Sequence, residues 1–250
     1  EVVVRSMAAT NLNSRVIIPI RLGKFLDDVS DKDLSILDGL ILYDYDYRSK
    51  NGFKRIEEFV RKGGNLFIDS GVETKESDNR KTNLPSIFPF DSLVRKGLGK
   101  TWLLEVPKEN LLKDVDVTKF DPPMFDSDEW KFAYPDVTKT KNGEEVWVIN
   151  HGMNMLTFRK LGKGSVIWSG MNIFYHVTRF NNLGEGVFLK NILSQIIDIN
   201  PKQILEAKVD RKNMHEVTIE TQGAKGLLFK EEAFPGWQAK LKTKNENINS

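Results

Sequence analysis

The chain has 250 residues, 40% of them hydrophobic and 29% charged, and 37 basic against 35 acidic side chains leave a net charge of +2. This is the composition of a globular protein with a real core, and so balanced a charge builds no field to recruit nucleic acid, which is excluded as a partner. Cysteine is absent, which excludes a thiol nucleophile, a disulfide framework and a Cys-ligated metal.

Arg15 to Ile20, RVIIPI, is a β-branched run that predicts a short buried strand. Ser30 with Asp33 three residues on predicts an N-cap and a short helix through Ile36 and Leu37. Gly39 to Tyr43, GLILY, predicts a second strand, and Asp44 to Lys50, DYDYRSK, the polar loop that follows it. In the next helix Phe53, Ile56, Phe59 and Val60 share one face, with Lys54, Arg55, Glu57, Glu58 and Arg61 opposite. Gly63-Gly64 supply its stop, and Asn65 to Ile68 form a third strand. Strand, helix and strand at this spacing predict a βαβ unit with parallel strands.

Glu73 to Asn83 is polar and without period, which predicts an exposed excursion. Leu98 to Val106 reads as a strand, and Asp114 to Asp136, with Pro122-Pro123, as irregular. Glu145–Asn150, Met155–Arg159 and Ser165–Ser169, the last two joined by Gly162-Lys163-Gly164, predict antiparallel hairpins. Gly186 to Ile199 predicts a closing helix. After Asn200-Pro201 short alternating strands take over, placing a domain boundary near residue 200: an α/β domain over 1–199, then a β-rich segment over 200–250 that begins a larger domain. No stretch approaches the roughly 20 apolar residues of a membrane-spanning helix and no signal peptide is visible. Both ends read as cut from a longer chain.

The order DGLILYDYDY, amphipathic helix, RKGGNLFIDSG, with GKGSVIWSGMN later, resembles the class I glutamine amidotransferase-like domains and their trehalose-utilisation-type relatives. The resemblance covers about the first four-fifths of the chain and implies a three-layer flavodoxin-like α/β/α fold with a mainly parallel sheet. EEAFPGWQAKL, Glu231 to Leu241, resembles a strand of large multi-pass membrane proteins of the YfhO and pyruvoyl-tetrahydropterin-synthase-related kinds. That second resemblance implies a membrane protein whose domain lies outside the cytoplasm. Its partners would be the membrane-embedded remainder of its own chain and, through glycosyltransferase-like relatives, glycans or lipid-linked sugars.

Amidotransferase chemistry needs a Cys activated by a His and an acid. Here the resemblance sets Ser70 at the elbow. A serine elbow wants glycine two residues to either side, but Ile68 and Val72 stand there. The histidines are His151, His176 and His215, and none has an acid two residues on. His176, in SGMNIFYHV, is the nearest to a base. The expectation is therefore a non-catalytic domain in which Ser70 is a capping or turn residue. A hydrolase using Ser70, Asp69 and His176 is the rival from the enzyme class, and a carbohydrate-binding module relying on exposed tryptophans is the other.

Ligands of open α/β sheets bind at the strands' carboxyl ends. Asp44 and Asp46 lie there, among tyrosines, as a loop or as ligands for a hard cation or sugar hydroxyls. With Asp69, Ser70, Asn172, Tyr175 and His176 they make the expected ligand-binding set. Asp126, Asp128 and Glu129 lack the glycine-containing frame of a calcium loop, and the Gly162-Lys163-Gly164 turn precedes a strand and lacks the P-loop frame. No cofactor and no metal is expected.

Overall fold

A computed structural model describes residues 2–9, 19–72, 74–75, 84–136, 144–197, 207–213 and 216–221. The chain divides into two compact units, Glu1–Ile204 and Leu205–Ser250. In the first, six strands form one sheet in the order β1-β2-β10-β9-β8-β4. These are β1 (Gly39–Leu42), β2 (Asn65–Asp69), β4 (Leu104–Glu105), β8 (Glu144–Asn150), β9 (Met153–Leu161) and β10 (Gly164–Ser169). Beside it β3 (Leu93–Gly97) pairs with β7 (Lys131–Pro135), and β5 (Met124–Phe125) with β6 (Asp128–Glu129). The helices are α1 (Val2–Ala9), α2 (Asp31–Ser35), α3 (Asn51–Arg61), α4 (Ile173–Phe180) and α5 (Leu183–Leu193). In the second unit the described residues form one antiparallel hairpin, β11 (Lys208–Asn213) and β12 (Glu216–Glu220).

The central strands β2 and β10 are buried almost throughout, and the alternation of their side chains sorts the core onto both faces of the sheet. Leu66, Ile68, Val166 and Trp168 join Phe53, Ile56 and Val60 of α3 in one apolar cluster. Phe67 and Ile167, from the alternate positions, join Phe174 and Val177 of α4 and Phe188, Leu189 and Ile192 of α5 in the other. The Ser30 side chain caps α2 and Asp33 returns the bond, a complete capping box. β1, α3 and β2 form the βαβ unit: β1 pairs parallel with β2 in the register Gly39↔Asn65.

The mixed α/β class is as expected, but the sheet is not mainly parallel. β2 pairs parallel with β1 and β10, whereas β10–β9, β9–β8 and β8–β4 are antiparallel. For β9–β8 and β10–β9 the cause is connection length: the tight turns at His151-Gly152 and Gly162-Lys163 can join only antiparallel neighbours, since a parallel return needs a crossover. Two further expectations change. Of the strand expected over Leu98–Val106 only Leu104–Glu105 pairs, because Gly99 turns at φ +95° and side chains hold the segment on either side: Asn150 Oδ1 accepts from the Leu103 amide at 2.9 Å, and His151 Nε2 lies 2.8 Å from the Thr101 carbonyl oxygen. The stretch expected to be irregular carries β7, whose Phe132 and Ala133 are buried.

Pro19 and Ile20 belong to no regular element, and Arg15–Ile18 lie outside the described residues. The expected excursion is described only at Thr74 and Lys75, and Glu231–Leu241, the segment resembling the membrane-protein strand, also lies outside them.

Candidate functional site

At the carboxyl ends of β2 and β10 the paired residues are Asp69 and Ser169. Past them, Ser70 and Asp69 part company. The Asp69 carboxylate turns to the α4 face: Oδ1 accepts from the amides of Gly71 (2.9 Å) and Asn172 (3.1 Å). It thereby caps α4 from a neighbouring strand, where Asn172 itself, at φ +54°, makes no side-chain cap. Ser70 turns the other way. Its hydroxyl oxygen accepts from Trp168 Nε1 at 3.0 Å, in the cluster on the α3 face, and the residue is fully buried.

Gly71 is required by close approach rather than by an elbow. A Cβ there would stand 1.9 Å from the Asn172 nitrogen. Arg95 crosses above and donates to the carbonyls of Gly71 (2.7 Å) and Ser70 (3.3 Å).

Burial pushes the Asp69 carboxyl up to about 7, against the pull of the amides of Gly71, Asn172, Ile173 and Phe174. Oδ2 is buried without a partner. Tyr43 closes the corner: its hydroxyl donates to Asn172 Oδ1 at 3.1 Å, and burial, then the nearby Asp69 and Asp44, push its ionisation up.

A pH dependence follows. Unfolded, Asp69 ionises near 3.8; folded, it keeps its proton to about 7. Between those values the native state holds a proton the unfolded chain has released. The stabilisation is therefore complete below about pH 4, is lost as the pH rises to 7, and changes no further above that. The expected total is about 4 kcal/mol. Burial also pushes Glu144 up to about 7, with a slope of the same sign. The measurement is thus a difference: urea unfolding of wild type and Asp69→Asn from pH 4.5 to 8. Asn keeps an acceptor for the two amides, so the variant should gain on wild type as the pH rises. Parallel curves for the two proteins would refute the assignment.

His176 is 3% exposed and lies on the α4 face. Its ring packs edge-on to Trp130 (4.7 Å between centroids) and Trp102 (5.3 Å), with Phe180 at 4.6 Å. Nδ1 sits 2.5 Å from Glu185 Oε2, and the Asp121 amide donates to Glu185 Oε1 at 2.8 Å. Glu185 is placed by Asn182, whose Oδ1 caps α5 through the amides of Gly184 and Glu185. An imidazole–carboxylate couple thus exists, missed in the sequence because its acid is nine residues away across a helix break. The visible signal was Asn182 as an N-cap followed three residues on by Glu185.

The expected set is therefore dispersed. Asp69, Asn172 and Tyr43 meet; Ser70 faces the opposite side of the sheet from His176, and each has its own buried partner. Tyr175 is half-buried between Trp130 (5.7 Å) and Phe125 (6.4 Å, stacked). Asp44 is exposed at φ +46°. Asp46 is engaged by Lys75, which also holds its carboxyl below the usual range, and its backbone bridges to Phe25. Among the described residues no three His, Asp or Glu side chains come together as a metal site.

No family model and no curated protein matches the sequence. Among solved structures, cytoplasmic protein STM1381 from Salmonella typhimurium LT2 is similar over 79% of this chain and 88% of its own, with 16% identity and a TM-score of 0.48. Cytoplasmic protein STM3548 from Salmonella typhimurium matches 78% of this chain and 86% of its own, with 15% identity and a TM-score of 0.46. A GH42 β-galactosidase from G. stearothermophilus, as a catalytic mutant, matches 68% of this chain but 22% of its own, with 11% identity and a TM-score of 0.38. Similarities this low transfer neither substrate nor activity. Both Salmonella proteins are cytoplasmic by name, and among the described residues no helix is long and apolar enough to cross a membrane. Set beside these two findings, the expectation of a membrane protein with this domain outside the cytoplasm is not carried forward.

Proposed function

We propose that the first unit is a non-catalytic domain of the amidotransferase-like kind, three-layered and flavodoxin-like, that works by binding rather than by making or breaking bonds. One observation carries this reading: the hydroxyl at the elbow position is fully buried and spent on the Trp168 indole. A nucleophile needs a base within about 3 Å and an open approach for its substrate, and Ser70 has neither. Helices on both faces of the sheet support the layered architecture. We place the ligand at the carboxyl edge around Asp44, Asn172 and Tyr175, and glycans are the ligand class we propose there.

Two measurements test it. A fluorophosphonate probe should leave wild type unlabelled, and diethyl pyrocarbonate should modify the half-exposed His151 while sparing His176 until the protein unfolds. Labelling of wild type that Ser70→Ala abolishes would overturn the non-catalytic reading. The glycan class is tested separately on a glycan array, where Tyr175→Ala should abolish whatever binding wild type shows; binding that survives the substitution, or no binding at all, would remove the glycan proposal.

A further inference from the structure

The imidazole of His176 is half explained. Both oxygens of the Glu185 carboxylate act as acceptors: Oε1 takes the Asp121 amide at 2.8 Å, and Oε2 lies 2.5 Å from His176 Nδ1. The proton between ring and acid therefore belongs to Nδ1, and in the neutral ring Nε2 is left as a lone pair seeking a donor. Nε2 is buried and has no partner. An acceptor sealed off in this way costs about 1–3 kcal/mol, too much for a packed core to leave unanswered.

The structure places the answer beside it. A chamber of about 10 Å³ is lined by Trp102, Phe120, Met171, Ile173, His176 and Glu185. That is roughly the space one water molecule occupies and too little for any larger ligand. Of the lining groups, Trp102 Nε1 already donates to the Asp121 carbonyl oxygen at 2.6 Å, so the polar character of the chamber comes from His176 and Glu185. A buried water needs two to four such partners. Nε2 accepts one of its protons, and the carboxylate, with lone pairs to spare, accepts the other.

We propose that this chamber is a hydration site, holding one long-lived water that locks His176 in its Nδ1–H form and completes the latch between α4 and α5. The water is structural. Trp102, Phe120, Met171 and Ile173 form its apolar walls, and the imidazole it occupies is withdrawn from chemistry.

The test uses the whole chain labelled with ¹⁵N-histidine, with His176→Gln serving to assign the resonances. Long-range ¹H–¹⁵N correlation should show His176 Nε2 unprotonated and Nδ1 protonated, and the ring protons of His176 should exchange magnetisation with a water resident for longer than a nanosecond. A protonated Nε2, or ring protons with no contact to water, would overturn the proposal. Should the variant fail to fold, the same resonances are assigned through the ring contacts to Trp102 and Trp130 in wild type.

Discussion

Glu185→Ala should lower the unfolding free energy by about 3–5 kcal/mol, since it strips a buried imidazole and a half-buried backbone amide of their shared acceptor. The pair itself contributes far less than that loss. Replacing both partners with apolar groups of similar volume, as in His176→Phe with Glu185→Leu, should recover much of the stability, because the imidazole is then no longer stranded and only the Asp121 amide has lost its acceptor. Urea unfolding of the single and double variants forms a cycle whose interaction energy should be large and favourable, about 2 kcal/mol or more. Additive losses would mean that the 2.5 Å contact is incidental to the fold.

Gly71→Ala should cost about 3 kcal/mol through overpacking. The added methyl would lie 1.9 Å from the Asn172 nitrogen and 2.6 Å from its Cα, and both are backbone atoms with no rotamer to yield. The start of α4 must then move, and with it the amide that Asp69 Oδ1 caps. Gly152→Ala is the control. Gly152 has φ +76° but open space around it, so it should lose only the roughly 1–2 kcal/mol of left-handed backbone strain. Thermal unfolding ranks the two, and a Gly71 variant no worse than the Gly152 variant would remove close approach as the reason for glycine at the end of β2.

Much of the first unit was legible because its signals are local. Phe53, Ile56 and Val60 share a helix face in any context, Ser30 and Asp33 cap a helix across three residues, and the Gly162-Lys163-Gly164 turn closes a hairpin within itself. Helix α4 was not legible. Ile173 to Phe180, IFYHVTRF, is rich in β-branched and aromatic residues, and both flanking asparagines are left-handed. Its helical state depends on a carboxylate more than a hundred residues earlier in the chain. The mainly parallel sheet was misjudged for a related reason: parallel character is a property of which strands become neighbours, and β10 meets β2 across nearly the whole intervening chain.

The candidate site divides along the same line. The missing thiol and the failed glycine spacing around Ser70 are facts of residue type, and they argued against an elbow nucleophile before any fold was known. Where the polar groups point is a different matter. Asp69 and Ser70 are adjacent, yet one feeds the amides of α4 and the other a tryptophan on the far face, because successive side chains leave an extended backbone in opposite directions. His176 and Glu185 form a couple only because α4 breaks at Asn181 and α5 folds back with its first turn against the ring. Sequence alone determined which chemistries this chain is too poorly equipped to perform; packing of the two sheet faces decided which of its remaining polar groups meet, since partners so far apart along the chain are chosen by burial and not by spacing.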